Sequence, residues 1–115
     1  MKILYASGIE KQIEKINKGS NIKVKDRLHD IINEFEQAED FSYILSLTYL
    51  DPHQLYSNRE KQWAVKVDNT KYRVIFYLCD EKDEPITEKS FDVKNKATEL
   101  KTIKILEVSN AHYKK

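Results

Sequence analysis

Acid–base and anion-binding residues gather in one part of this 115-residue chain. Between His53 and Tyr77 stand His53, Arg59, Lys61, Lys66, Lys71 and Arg73, against the acids Glu60 and Asp68. A further imidazole, His112, and a further phenol, Tyr113, stand near the other end of the sequence. Histidine gives or takes a proton near neutral pH, and arginine offers a flat fork to phosphate oxygens. Tyrosines such as Tyr56, Tyr72 and Tyr113 can stack on unpaired bases. Cutting RNA without a metal needs a base for the 2′-hydroxyl, an acid for the departing 5′-oxygen and a cation for the phosphorane. The residue types suit that chemistry, although composition alone leaves simpler readings open. Trp63 fits a core position. Arg73 can reach out of a strand or pair with Asp68, His29 belongs to the polar side of a helix, and His112 can be a tail residue.

Other chemistries find less support. His29, His53, His112 and Cys79 occur at no recognised metal-ligand spacing. Two glycines cannot build a phosphate-cradling loop. The single cysteine, Cys79, has no partner for a disulfide and lies in an apolar run, so it reads as a packing residue of a reducing compartment. No cofactor is expected. No apolar run approaches the roughly 20 residues needed to span a bilayer. With no signal-peptide pattern at the N-terminus, a cytoplasmic protein with no membrane contact is the expectation.

The elements that must position these residues follow from apolar spacing. Residues 1–115 fit one domain. Lys2–Tyr5 is a short strand candidate. Ile9, Ile13 and Ile16 mark one helix face, and Val24, Leu28, Ile31, Ile32 and Phe35 mark a second, with Gly19 and Ser20 between them. Two such helices predict a helical hairpin laid on an apolar sheet. Phe41–Leu50 reads equally as strand, short helix or packed loop, and Asp51-Pro52 ends it. Trp63, Val65 and Val67 alternate as a half-buried strand, residues 68–71 supply a turn, and Tyr72–Leu78 form its antiparallel partner. Residues 86–102 are poorly patterned, with Ile86, Phe91 and Val93 suggesting an edge strand or an arm. Ile103–Val108 is apolar on both faces and predicts a central strand. The fold class is α+β, with helices on one face of a small, mostly antiparallel sheet.

Net charge is only +1, but it is unevenly spread. Residues 1–27 hold seven Lys or Arg and three acids, whereas residues 28–51 hold six acids and no Lys or Arg. Such segregation lets a near-neutral chain present a basic face.

The runs His53-Gln54-Leu55, Lys61-Gln62-Trp63-Ala64-Val65-Lys66-Val67 and Tyr72-Arg73-Val74-Ile75-Phe76 resemble the HigB branch of the RelE-like toxins, the plasmid maintenance system killer proteins. The ending from Ile105 to Tyr113 is similar to that family's last strand and terminal His. The resemblance implies a RelE-like fold and a toxin of a type II toxin–antitoxin system that cuts mRNA on the ribosome. It implies a cognate antitoxin, for this branch usually a helix-turn-helix protein encoded nearby. It assigns Arg73 to the phosphate, His53 and His112 to acid–base roles, and Arg59, Lys61, Lys71 and Tyr113 to RNA or phosphate contacts. The chain departs from the family pattern at Leu55-Tyr56, Lys71 and Ala111, and residues 80–102 are longer than expected. The related ParE-type toxins, which poison DNA gyrase without an acid–base set, are the alternative, together with a catalytically weak protein-binding relative.

Overall fold

In the computed structural model the described residues are 1–59, 61–88 and 91–110. Strand β1 (Lys2–Tyr5) leads through Gly8 into helix α1 (Ile9–Lys18). Gly8 adopts φ 85°, a left-handed turn that a residue with a Cβ would strain to make. Helix α2 (Ile22–Gln37) starts where Asn21 Oδ1 accepts the Val24 amide at 3.2 Å. Its stripe of Val24, Leu28, Ile31 and Phe35 is buried, as the spacing predicts.

The ambiguous stretch after α2 is helical. Asp40 caps a short helix, α3 (Phe41–Ser46), by accepting the Ser42 amide at 2.9 Å, and a 3-10 turn follows at Thr48–Leu50. The cap adds what period-2 and period-3.6 spacing lack, because it satisfies one of the amides that the first turn of a helix leaves open.

Strands β2 (His53–Gln54), β3 (Gln62–Lys66), β4 (Arg73–Cys79) and β5 (Thr102–Ser109) complete a five-stranded sheet of order β1-β5-β4-β3-β2. β5 lies parallel to β1 and antiparallel to β4, and the other pairs are antiparallel. The apolar β5 is thus central, with a neighbour on each side. β2 is a two-residue edge strand.

Helices cover one face. Trp63, Val65, Val67, Val74, Phe76, Leu78, Ile103, Ile105 and Val108 point into one core with Phe35 and Phe41. Phe35, Phe41, Phe76 and Trp63 meet edge to face, with centroids 5.1 to 6.1 Å apart. Among the described residues of 86–102 the expected edge strand shrinks to one bond, the Ile86 amide donating to the Leu78 carbonyl at 2.8 Å, and Thr102 already belongs to β5. After a bridge from Pro85 to Cys79, the chain returns through helix α4 (Val93–Lys96) and a 3-10 turn at Ala97–Glu99. Ile86, Phe91 and Val93 pack against the main core, so their apolar character serves burial.

Candidate functional site

The second face of the sheet carries the polar chemistry. Alternation from the core residues places His53 on β2, Gln62, Ala64 and Lys66 on β3, and Arg73, Ile75 and Tyr77 on β4 there. On β5 the alternation breaks. Ile75 pairs with Glu107 and Phe76 with Ile105, leaving Leu106 as the extra residue of a bulge. Ile105 and Val108 both reach the main core, so Leu106 and the next residue, Glu107, both lie on the second face. Buried Leu55, Ala64 and Ile75 pack with partly buried Leu106 into a small apolar patch in the middle of it.

The cross-strand register arranges the site in rows. One row runs His53, Ala64, Ile75, Glu107, and the next runs Lys66, Arg73, Ser109. Three strand spacings put the backbones of His53 and Glu107 about 14 Å apart, with the apolar patch between them. Among the described strand residues of this face, Glu107 is the only acid, facing Lys66, Arg73 and Lys104.

His53 is 23% exposed, and its Nδ1 lies 2.7 Å from the Asp51 carbonyl oxygen. A carbonyl only accepts, so Nδ1 carries the proton in the neutral ring and Nε2 is the nitrogen that can take one. The Asp51 carboxylate stands 3.8 Å from the same Nδ1. Asp51 makes both contacts from a left-handed backbone, φ 49°, just before Pro52.

Arg73 does not pair with Asp68. Asp68 instead holds Lys23 and Arg27 of α2 at 3.7 and 3.4 Å. The Arg73 Nη1 donates to the carbonyls of Tyr72 and Thr70 at 2.9 and 3.2 Å. A guanidinium has five N–H donors, so these two bonds fix the group and leave its other nitrogens for an anion.

Arg59 reaches from the 3-10 turn at Ser57–Arg59 across the face. Its Nη1 pairs with Glu107 Oε1 and donates to Gln62 Oε1 at 3.1 Å. Gln62 Nε2 in turn donates to the Tyr77 hydroxyl at 3.4 Å. Sequence reasoning missed Glu107, Gln62 and Tyr77. No Gly or other marker announces the bulge that swings Glu107 round, and a plain alternating strand would have put it against the helices.

Lys61 behaves differently from the expectation. With φ 72° it borders a crevice beside Gln54, Trp63, Leu78 and Phe91, on the helix-covered side. The left-handed turn before β3 sends it away from Arg59 and Arg73. Lys71 is exposed in the β3–β4 turn, and His29 is exposed on α2, where Nε2 meets Asn17 Oδ1 at 3.1 Å. His112 and Tyr113 lie outside the described residues. Cys79 is buried, and burial pushes its thiol up to about 11, the behaviour of a packing residue. No group of three or more His, Cys, Asp or Glu among the described residues is placed to hold a metal. No helix among them is long and apolar enough to cross a membrane.

The sequence matches no family model and no curated protein. Solved structures do match. A YoeB/ParE toxin from Agrobacterium tumefaciens aligns with TM-score 0.54 at 10% identity, over 98% of this chain and all of that one. A YoeB–YefM complex from Staphylococcus aureus aligns with TM-score 0.54 at 14% identity, over 98% of each chain. A YoeB dimer from the same organism gives 0.52 at 12%, again over 98% of each. At such identity the likeness speaks for the fold: this chain has, end to end, the α+β fold of the YoeB/ParE toxins, the RelE-type arrangement.

Proposed function

We propose that the protein is the toxin of a toxin–antitoxin pair and acts as a metal-independent endoribonuclease on mRNA at the ribosome. The observation that carries this reading is the setting of His53. Its Nδ1 is tied to the Asp51 carbonyl, its Nε2 is the proton-accepting nitrogen, and it shares a cation-bearing sheet face with Arg59 and Arg73. A phosphodiester crossing this face between His53 and Glu107 would lie between an imidazole and two guanidiniums. That supplies one acid–base group and the charge stabilisation that 2′-hydroxyl attack requires. His112 is the second acid–base candidate, and Lys71 and Tyr113 are candidates for holding the RNA strand.

The resemblance of the sequence to the HigB branch favours mRNA over DNA gyrase as the target, and a helix-turn-helix antitoxin as the partner. A similar fold is found in complex with a second protein, YefM, which supports an antitoxin here as well. Expression without the partner tests the reading. The wild-type chain should arrest growth and leave cut mRNA, and Arg73→Ala and His53→Ala should each remove both effects. Growth arrest that survives both substitutions, with gyrase-linked DNA breaks in place of cut mRNA, would refute the nuclease in favour of the ParE-like alternative.

A further inference from the structure

The β5 bulge has one chemical result: it brings a carboxylate oxygen to Nη1 of the Arg59 guanidinium. Bulges bend a strand, re-aim a side chain and are enriched beside functional sites. A carboxylate and a phosphodiester offer an arginine the same geometry of paired anionic oxygens. Glu107 therefore sits where a phosphate would sit. We propose that Glu107 is an intramolecular competitor for an anion site on Arg59, and that a phosphodiester of single-stranded RNA enters when Glu107 withdraws.

Three observations support the exchange. The side chains of Arg59 and Glu107 are 31% and 30% exposed, so their pair is partly in water and weak enough to be replaced. Gln62, braced by Tyr77, accepts from the same Arg59 nitrogen and keeps the guanidinium in place once the carboxylate leaves. Lys66, Arg73 and Lys104 on the same face draw a polyanion towards the site, and Lys66 and Lys104 offer Glu107 other cations to turn to. The proposal rests on the reading above only for naming RNA as the source of the phosphate.

Two probes separate the two ideas: inorganic phosphate, followed through the Arg59 Nε–H signal by NMR, and a 2′-O-methyl RNA oligonucleotide that cannot be cut, followed by fluorescence anisotropy. Glu107→Gln should tighten phosphate and RNA roughly two- to fivefold. The slope of log K against log salt should steepen by about 0.7, the value of one more single-strand phosphate contact. On an Arg59→Gln background, read by RNA anisotropy, the same substitution should lose most of this gain. Glu107→Ser serves the comparison if the amide does not fold. Unchanged or weaker phosphate binding in folded Glu107 variants overturns the competitor. Tighter phosphate with no RNA binding by any variant upholds the competitor and overturns the RNA reading.

Discussion

His53 owes its orientation to a backbone atom rather than to a charge. The Asp51 carbonyl lies 2.7 Å from Nδ1 and the carboxylate only 3.8 Å away, so the two contributions can be separated. Asn tolerates the left-handed backbone at position 51 and keeps the carbonyl. Asp51→Asn should therefore lower the rate of mRNA cleavage less than tenfold, whereas His53→Asn should lower it by about 10²- to 10⁴-fold. Equal losses in single-turnover assays would mean that the carboxylate, not the carbonyl, sets the ring. Lys61 is the opposite case, a cation whose backbone points it away from the face. Relief of its positive φ should make Lys61→Gly more stable by about 1 kcal/mol in urea unfolding. Affinity for RNA should stay the same in that variant. A large loss of affinity would restore Lys61 to the interface.

At the scale of elements, α1 does more than cover the sheet. β1 stops pairing at Tyr5 with Ile105, so the outer edge of β5 beyond that point has no strand beside it. Gln12 of α1 fills the gap, accepting the amide of buried Val108 through Oε1 at 2.9 Å. A buried amide that loses its acceptor costs about 1–3 kcal/mol. Gln12→Leu should destabilise by that order and raise hydrogen exchange at Val108 selectively. Unaltered exchange there would mean the amide finds another acceptor. None of this is visible in the sequence, where Gln12 is one polar residue of an amphipathic helix. The stripes of α1 and α2, the β3–β4 hairpin and the central β5 were all legible, because burial imposes a period on them. The two-residue β2, the bulge and the Gln12 bridge were not, because each depends on a register between distant segments. The same limit divides the site. Arg59 and Arg73 stand out by type, while Glu107 enters only through the bulge.

At the scale of the whole molecule, Cys79, Tyr5, Tyr43 and Tyr49 give the fold a common alkaline weakness. Cys79 at the end of β4 is buried beside Thr102 of β5 and Pro85, and burial raises its thiol from an ordinary 9.0 to about 11. The nearby acids Asp80, Asp83 and Glu84 push it the same way, and Lys104 opposes them. Tyr5 and Tyr49 are raised by burial, and Tyr43 by its hydrogen bond to Glu34. Each group ionises more readily unfolded than folded, so the unfolded chain loses protons first as pH rises. The stability tied to Cys79 is whole below pH 9 and declines as pH climbs from 9 towards about 11. The tyrosines add the same sign above their ordinary 10.0. Cys79→Ala separates the thiol from the phenols. It should start less stable at neutral pH, because a buried sulfur is removed, yet lose less on going from pH 8 to pH 10.5 than the wild type loses. Denaturant unfolding in reducing buffer at four or five pH values across that window would measure the difference. Parallel curves for the two proteins would show that the thiol ionises as freely in the fold as in the unfolded chain, and that Cys79 is not sealed between Thr102 and Pro85.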